Sequence, residues 1–276
     1  MDGSRDRGDQ VKGQEMKVDL SGKNALVTGG GRGIGRVIAT QLVQNGARVT
    51  IATRTEASGS EVRDELRAMG GEVELVALDL STREACDTAV KTAADAFGGL
   101  DIVVHNSGIF PFTPFENLAD AEFDAVMRTN LYSFMWLSRA ALPHIKASDN
   151  GRIVGISSLI GNHAWLAGLD AYAASKGGMN GIARNLALEF ARHGATVNII
   201  EPGLVIDDRS PRMDDATRDK IVPNIPMQRA GLPSDIANAV LFFCSPTSQF
   251  VTGQALVVDG GHMLPDMSSY AMASRL

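Results

Sequence analysis

Residues 28–35 read Thr-Gly-Gly-Gly-Arg-Gly-Ile-Gly, and this stretch decides the fold of the chain. It follows the apolar run Ala25–Thr28 and leads into the helical pattern Ile34–Asn45. Glycines at such a junction permit a tight turn and let a pyrophosphate approach the backbone, while the start of the helix offers free N–H groups and a positive dipole end. The strand–turn–helix context therefore predicts a dinucleotide-binding turn. Its predicted cofactor contacts are Thr28, Gly29, Gly31, Arg32, Gly33, Ile34 and Gly35.

Seven short apolar runs predict the strands of a parallel sheet. They are rich in Val, Ile and Leu and do not alternate polar with apolar residues, which is typical of strands buried on both faces. The predicted strands are Ala25–Thr28, Arg48–Ala52, Val73–Leu78, Ile102–His105, Arg152–Ile156, Thr196–Ile200 and Ala255–Val258.

Longer stretches with helical periodicity lie between these runs. Residues 81–84, Ser-Thr-Arg-Glu, resemble a capping box before the third helix. Repeated strand–helix–strand units predict a doubly wound, Rossmann-type α/β fold, with one seven-stranded parallel sheet and helices on both faces. The predicted helices are Ile34–Asn45, Glu56–Met69, Arg83–Phe97, Glu122–Ile145, Tyr172–His193 and Ser234–Phe243.

A single domain accounts for this pattern. We expect residues 18–276 to form one dinucleotide-binding and catalytic domain. Residues from about 203 to 230 are expected to form a substrate lid, because irregular stretches of this length are usually lids or binding loops. Residues 1–17 are polar and charged, so we expect a disordered extension there rather than a signal peptide.

The composition excludes several classes of function. The chain has 276 residues and a net charge of −6, which predicts no affinity for nucleic acid or for an anionic membrane surface. No apolar run reaches the length of about 18 residues that predicts a membrane span. Cys86 and Cys244 lack metal-ligand spacing, so we expect free thiols, a cytoplasmic location and no bound metal.

The end of the second predicted strand indicates which dinucleotide binds. NAD-binding proteins carry an acidic residue there for the ribose 2′-hydroxyl, but this chain has Thr53 and Arg54. The guanidinium of Arg54 suits a 2′-phosphate, and Arg32 is a second candidate for the same contact, so the sequence predicts NADP(H). Asp79 and the adjacent Leu80 are predicted cofactor contacts after the third strand, although a helix-capping role for Asp79 is equally physical.

The candidate catalytic group is built around Tyr172-Ala-Ala-Ser-Lys176. Residues at i and i+4 share one helical face, and a neighbouring cation lowers the pKa of a phenol from about 10, so this spacing predicts a general acid/base. Ser158 follows the fifth strand at the edge where ligands bind, and it is predicted to orient the reacting oxygen. Asn130 is predicted to hold a water that relays protons to Lys176, with a satisfied packing amide as the alternative.

These motifs resemble those of the short-chain dehydrogenase/reductase family, in its single-domain branch. The resemblance extends over nearly everything from Leu20 to about Leu264. Several independent motifs in the right order make it specific. Besides the glycine turn they are His105-Asn106-Ser107-Gly108, which is similar to that family's Asn-Asn-Ala-Gly, and Asn130, Ser158, Tyr172-x3-Lys176 and Pro202-Gly203.

The resemblance implies an oxidoreductase that transfers a hydride between NADP(H) and a carbonyl or secondary alcohol. It implies that Tyr172 is the acid/base, that both Tyr172 and Lys176 contact the cofactor, and that Lys176 holds the nicotinamide ribose. It implies a homotetramer built largely from the two long helices and the C-terminal segment. Asp207 stands where the family often has a threonine that bonds the carboxamide, which is a departure. The further cofactor contacts that it implies are Asn106, Ser107, Gly108, Pro202, Gly203 and Val205.

The loops expected over the nicotinamide indicate the class of substrate. They are apolar and aromatic, which suits a hydrophobic ketone or alcohol better than a sugar; the alternative is that several of these side chains belong to the core. The predicted substrate contacts are Ile109, Ile160, His163, Trp165 and Ile206.

Three alternatives stay open beside a carbonyl reductase or alcohol dehydrogenase. Some family members reduce 3-oxoacyl groups on acyl carrier protein, but the segment Pro143–Gly151 offers only Lys146, beside Asp149, to an acidic carrier. A dehydratase or epimerase would hold its dinucleotide tightly and show no net change in free cofactor. A non-catalytic dinucleotide sensor would need none of the four polar residues at the predicted centre.

Overall fold

Seven parallel strands form one sheet in the computed structural model, which describes residues 15–207 and 215–264. Their spatial order is β3-β2-β1-β4-β5-β6-β7, and every neighbouring pair is parallel. The predicted doubly wound α/β fold is confirmed, and each predicted strand is present with ends shifted by two residues at most. The strands are β1 (Asn24–Thr28), β2 (Arg48–Thr53), β3 (Val73–Ala77), β4 (Ile102–His105), β5 (Arg152–Ile156), β6 (Thr196–Pro202) and β7 (Ala255–Val258).

Helices cover both faces of the sheet because successive strand residues point to opposite sides. In β1, Ala25 and Val27 belong to a first core cluster with helices α1, α2 and α8, whereas Leu26 belongs to a second cluster with α3, α5 and α6. The helices are α1 (Gly33–Gln44), α2 (Glu56–Ala68), α3 (Arg83–Phe97), α4 (Asp120–Met127), α5 (Ser133–Ala147), α6 (Asp170–Ala191), α7 (Asp215–Ile221) and α8 (Pro233–Cys244).

The single helix predicted at Glu122–Ile145 is present, but its middle is π-helical and not α-helical. The chain forms α4 and α5, joined by a π-helical turn at Arg128–Tyr132. Asn130 lies in this wider turn, and its side-chain amide bonds both backbone groups of Ile109 in the loop after β4. Periodicity alone did not reveal the turn, because the apolar face continues through it. Such π turns are frequent at functional sites.

The capping box predicted at residues 81–84 starts one residue too early. Thr82 is the N-cap of α3, and its Oγ1 accepts the N–H of Ala85 at 3.2 Å. The N–H of Ser81 instead donates to Asp79 Oδ1 at 2.9 Å. This local turn at the aspartate uses Ser81 before the helix begins, so the cap moves to the next residue.

Two predicted boundaries need correction. Residues 1–14 lie outside the described residues, but the N–H of Met16 donates to Asn238 Oδ1 at 3.0 Å, and Met16 packs against the first core cluster. Residues 15–17 therefore belong to the folded domain and not to the predicted extension. The predicted lid at 203–230 is not wholly irregular, since it contains α7 and a 3₁₀ turn at Val222–Asn224.

Two sequence-based expectations about single features can be compared with the fold. Cys86 and Cys244 are both free, as predicted; both are also buried, and burial raises the pKa of each thiol to about 12. No helix among the described residues is long and apolar enough to cross a membrane.

Candidate functional site

The glycine turn between β1 and α1 forms a closely packed cradle. A Cβ added at Gly35 would lie 2.3 Å from the carbonyl oxygen of Gly29 and 2.5 Å from Asn106 Nδ2, so no larger residue fits. Gly29 and Gly33 adopt φ values of 65° and 57°, a left-handed region that favours glycine. The turn therefore brings bare backbone to the start of α1, an arrangement that suits a pyrophosphate. The geometry fits the predicted dinucleotide.

The turn lies at the topological switch point of the sheet, between the paired strands β1 and β4, where the helices that follow the two strands pack on opposite faces. Thr28 is buried, and its Oγ1 accepts the N–H groups of Asn106 and Ser107, each at 3.0 Å. The Asn106 amide donates to the carbonyl of Thr28 at 3.0 Å. These bonds join the loops after β1 and β4. Ligands bind open α/β sheets at this crevice.

The end of β2 lies against the glycine turn, as expected for an adenosine-ribose subsite. A Cβ at Gly31 would lie 2.8 Å from Ser58 Oγ and 3.1 Å from Thr53 Oγ1. Arg54 follows Thr53 directly and is exposed. Ser58, at the start of α2, was not among the sequence predictions. Its position became apparent only once the turn and the helix were brought together.

Arg32, Asp79 and Leu80, the other residues predicted near the adenosine-ribose subsite, have different surroundings. Arg32 is exposed beside the turn and lines a cavity of about 440 Å³. Asp79 is engaged in the turn before α3 through the N–H of Ser81. The side chain of Leu80 is buried in the second core cluster, so the predicted cofactor contact of this residue stays a prediction for its backbone.

Tyr172 and Lys176 share one face of α6, as their spacing predicts. The Lys176 Nζ lies 5.5 Å from the centre of the Tyr172 ring. Lys176 is buried and donates to the carbonyl of Ile156, the last residue of β5, at 2.7 Å. The ring of Phe110 meets the Tyr172 ring edge-on, with 5.8 Å between the centroids. The ammonium and the phenol are therefore neighbours at the carboxyl edge of the sheet.

Burial also controls the charge of Lys176. Removal from water lowers the pKa of this amine from 10.5 to about 7. The amine is thus close to the midpoint of its titration at neutral pH in the cofactor-free protein. The nearby His105 is fully buried, and its burial, aided by the charge of Lys176, lowers its pKa to about 3. His105 is therefore neutral and leaves Lys176 as the titrating base.

Replacing Lys176 by methionine is expected to remove one component of the pH dependence of stability. The unfolded chain keeps the ordinary lysine pKa, so between pH 7 and 10 it binds more protons than the folded chain. Stability therefore rises with pH across this window, by at most about 1.4 kcal/mol per pH unit, and is lowest below pH 7. Urea unfolding of both proteins without cofactor, at pH 6 to 9, measures the difference. Parallel pH profiles would contradict the assignment.

Asn130 is fully buried and satisfied by protein groups. Its amide donates to the carbonyl of Ile109 at 2.9 Å and to Ser175 Oγ at 3.0 Å, and its Oδ1 accepts the N–H of Ile109 at 2.9 Å. A Cβ at Gly108 would lie 3.4 Å from Asn130 Oδ1 and 3.7 Å from Lys176 Nζ. The two polar atoms therefore border the same small space, although the amide also serves as a packing contact.

Ser158 is half-buried where the chain leaves β5. Its Oγ accepts the N–H of Ile160 at 3.1 Å, which leaves the hydroxyl proton able to donate. The preceding Ser157 is buried and donates to the carbonyl of Lys176 at 3.1 Å. Ser157 thus fastens the end of β5 to the helix that carries Tyr172.

The segment after β6 borders the same edge of the sheet. Gly203 donates its N–H to the carbonyl of Val258 at 2.9 Å, and Ile206 donates to the carbonyl of Gly231 at 3.0 Å. Asp207 Oδ2 would lie 3.8 Å from a Cβ at Gly33, so this carboxylate approaches the glycine turn. The predicted residues Pro202, Gly203, Val205 and Ile206 therefore lie in one strip that ends beside the cradle.

The predicted substrate contacts do not all have the same surroundings. Ile109 and Phe110 line the 440 Å³ cavity together with Arg32. Trp165 is 77% exposed in the loop after β5, and Ile160 forms a bridge to Ala164 at the base of that loop. His163 is half-exposed, and its Nε2 lies 2.9 Å from Glu201 Oε2. Glu201 engages that nitrogen, so the predicted contact of His163 with substrate stays a prediction for the rest of the ring.

Glu201 and Asn180 were missed by the sequence interpretation. Glu201 is fully buried at the end of β6, although the strand around it is apolar, and Asn180 is buried on α6. The signal that the sequence offered was a charged residue, Glu201, next to a predicted apolar strand. Its partners are distant along the chain, so the sequence did not indicate how the charge is satisfied.

The fold and the site together define a dinucleotide-binding protein of the doubly wound α/β class. The family model described as "Enoyl-(Acyl carrier protein) reductase" matches residues 29–263. The chain is 37% identical over 244 residues to a 3-oxoacyl-[acyl-carrier-protein] reductase of Vibrio cholerae, covering 88% of this chain and 98% of the relative. The chain belongs to the short-chain dehydrogenase/reductase family of oxidoreductases, which use a nicotinamide cofactor.

Solved structures agree with this assignment. A short-chain dehydrogenase of Burkholderia cenocepacia in complex with NADP has a TM-score of 0.83 and 35% identity, covering 88% of this chain and 98% of that one. A 7α-hydroxysteroid dehydrogenase complexed with NADH and 7-oxo glycochenodeoxycholic acid has a TM-score of 0.84 and 32% identity, covering 88% and 95%. The two neighbours therefore carry different dinucleotides.

Proposed function

We propose that the protein is an NADP(H)-dependent reductase of hydrophobic ketones, or dehydrogenase of the matching secondary alcohols. The observation that carries this proposal is the Lys176 ammonium beside the Tyr172 ring at the carboxyl edge of the sheet. When Lys176 carries its proton, the positive charge stabilises the phenolate, which fits Tyr172 for proton transfer to and from an oxygen. The bound nicotinamide supplies or accepts the hydride.

Each polar residue of the site has a role in this proposal. Tyr172 donates its proton to the carbonyl oxygen during reduction and takes it back during oxidation. Ser158 donates its free hydroxyl proton to the same oxygen and orients it. Lys176 replenishes the tyrosine proton and binds the nicotinamide ribose, while a water between Asn130 Oδ1 and Lys176 Nζ connects the relay to solvent.

Two basic residues support NADP(H) over NAD(H). Arg54 follows β2 where an acidic residue would bind a ribose 2′-hydroxyl, and Arg32 flanks the glycine turn. The hydroxyls of Thr53 and Ser58 line the same place. These four side chains offer hydrogen-bond donors and positive charge to an anionic 2′-phosphate. The NADP complex of the Burkholderia cenocepacia neighbour is in keeping with this preference.

The rim of the site supports a hydrophobic substrate. Phe110 and Phe112 follow β4 and are 44% and 65% exposed, and Trp165 and Leu166 in the facing loop are 77% and 54% exposed. The two loops touch, because the N–H of Thr113 donates to the carbonyl of Gly168 at 2.9 Å. Exposed apolar side chains concentrated at a site mark a ligand-binding surface.

A second candidate function is the reduction of 3-oxoacyl groups on acyl carrier protein. The observation that favours it is the similarity to the Vibrio cholerae reductase over almost its whole length. At the end of α5, Lys23 pairs with Asp149, so Lys146 is the cation of this segment that an acidic carrier would contact. An acidic carrier needs unpaired cations on its docking surface.

A substrate panel with NADPH distinguishes these functions. We expect aryl and alicyclic ketones to react with a kcat/KM about tenfold or more above that of acetoacetyl acyl carrier protein, because burying apolar rings at the rim contributes about 1.4 kcal/mol or more. Higher kcat/KM for the carrier-bound thioester would favour the second function. NADPH binding without turnover of any carbonyl would indicate a dinucleotide sensor.

Exposed apolar residues outside the active site support a homotetramer. Leu188 on α6 is 78% exposed, Tyr132 in the π turn is 39% exposed, and Leu256 in β7 is 39% exposed. These side chains lie on the long helices and the C-terminal segment. We propose that they are covered by neighbouring subunits, since large apolar side chains on such elements are typical of subunit interfaces.

A further inference from the structure

A buried carboxylate that the proposed reaction does not use joins three parts of the active site. Glu201 is fully buried at the end of β6. Asn162 Nδ2 donates to its Oε1 at 2.7 Å, and the amide of Asn180 on α6 donates to the same oxygen. His163 Nε2 lies 2.9 Å from its Oε2 and donates to it in the tautomer or ion that carries a proton on Nε2.

The energetics of this arrangement make its geometry strict. A carboxylate without solvent is unfavourable unless its oxygens accept hydrogen bonds. Among the residues that the structure describes, His163 is the only basic side chain within ion-pair distance of Glu201. The buried carboxylate therefore requires the two amides and the imidazole at these positions. The segments that carry them, the loop at residues 162–163 and helix α6, are held in place by the same hydrogen bonds.

One of these segments controls the Ser158 hydroxyl. The N–H of His163 donates to the carbonyl of Leu159 at 2.9 Å, and the N–H of Leu159 donates to the carbonyl of Pro202 at 3.2 Å. Within the same turn, the N–H of Ile160 donates to Ser158 Oγ at 3.1 Å. A displacement of residues 162–163 would therefore move the group that fixes the direction of the serine hydroxyl.

The other segment is the helix that carries the acid/base. Asn180 lies one turn beyond Lys176 and two turns beyond Tyr172 on α6, so the three share a face. Gly161 of the loop packs directly on this helix: a Cβ there would lie 2.7 Å from the carbonyl oxygen of Ala173. The loop and the helix are thus in backbone contact next to Glu201.

We propose that Glu201 is a positioning residue that sets the distance between the Ser158 hydroxyl and the Tyr172 phenol. It does so by fastening the loop after Ser158 to α6 through Asn162 and His163 on one side and Asn180 on the other. This role rests on the proposed function, because it concerns the geometry of the same two hydroxyls. Glu201 itself contacts neither the substrate nor the reacting atoms.

Two substitutions at the carboxylate separate hydrogen bonding from bulk. Glu201→Leu removes both acceptors and is expected to lower kcat about 10- to 100-fold, since small displacements of catalytic groups have effects of this size. Glu201→Gln keeps Oε1 as the acceptor for both asparagines and offers an N–H to the other tautomer of His163. Its kcat is expected to stay within about threefold of the wild type. The Kd for NADPH should be unchanged in both.

A matched pair on α6 controls for general destabilisation. Asn180→Ala removes the donor on the helix side and is expected to lower kcat in the same direction as Glu201→Leu. Asn185→Ala changes the same residue type in the same helix, where the side chain is exposed and donates to the carbonyl of Gly181. It should leave kcat and the unfolding midpoint unchanged. If Glu201→Leu does not fold, Asn180→Ala and Asn162→Ala provide the same comparison.

A double-mutant cycle with Ser158→Ala tests the role directly. If Glu201 acts through Ser158, Glu201→Leu should lower kcat less than about threefold in the Ser158→Ala background, because coupled residues are not additive. A full, additive loss in that background would overturn the positioning role, as would equal losses for the Leu and Gln variants. The failure of the proposed function looks different: turnover would then persist in Ser158→Ala and in Tyr172→Phe.

Discussion

Replacing Tyr172 by phenylalanine is expected to lower kcat for ketone reduction by about 10²- to 10⁴-fold, the usual contribution of a positioned general acid/base. The substitution removes one hydroxyl and keeps the ring that contacts Phe110 and lies next to Lys176. No proton then reaches the carbonyl oxygen as the hydride arrives. The Kd for NADPH should stay unchanged, because the cradle is formed by the glycine turn and not by the phenol.

The matched control for this prediction is Tyr132→Phe. Tyr132 lies in the π turn, where its ring contacts Trp136 with 5.6 Å between centroids. Its hydroxyl has no part in the proposed reaction, so kcat should equal that of the wild type. Stopped-flow and steady-state measurements of NADPH absorbance give both constants. Wild-type turnover by the Tyr172 variant would end the assignment of this tyrosine as the acid/base.

Replacing Arg54 by aspartate is expected to shift the ratio of kcat/KM for NADPH over NADH by about 100-fold toward NADH, or about 2.7 kcal/mol. The wild-type guanidinium attracts the 2′-phosphate, whereas the new carboxylate repels it and accepts a hydrogen bond from a free 2′-hydroxyl. Arg54→Ala removes the attraction without adding the repulsion, so its ratio should lie between the two. Steady-state kinetics with both cofactors measure all three ratios.

Salt and a second charge reversal give independent checks on Arg54. If the contact is electrostatic, the KM for NADPH should rise with ionic strength in the wild type and less so in Arg54→Ala. Arg63→Asp reverses a charge two turns into α2, where Arg63 pairs with Asp64, and should leave the ratio unchanged. A ratio that Arg54→Asp does not alter would mean that another group binds the phosphate, and Arg32→Asp would then be the variant to measure.

The Lys176 amine affects both proton transfer in the site and the pH dependence of stability. Burial lowers its pKa to about 7, which places an otherwise strong base at the midpoint of its titration. Such a group exchanges protons readily near neutral pH, which suits the relay from solvent to Tyr172. The same burial destabilises the folded chain below pH 7, so the feature that serves proton transfer also appears in the stability of the cofactor-free protein.

The sequence predicted those parts of the site that depend on local spacing. The glycine turn, the pair Tyr172 and Lys176, and the strand ends that carry Ser158 and Pro202 each follow from a few consecutive residues or one helical turn. The capping residue of α3 was misplaced by one position, because Asp79 competes for the N–H of Ser81. The π-helical turn between α4 and α5 was missed, because the apolar periodicity continues through Asn130.

Local patterns of charge and hydrophobicity by themselves determined the class of fold, the order of strands and helices and the pairing of phenol with ammonium, since such signals act over short stretches of chain. Only the tertiary structure decided how Glu201 is satisfied, because its donors Asn162, His163 and Asn180 lie 39, 38 and 21 residues away. It likewise decided that Met16 joins the core through Asn238. Burial creates the need for a partner, and only the folded chain determines which distant group is near enough to meet it.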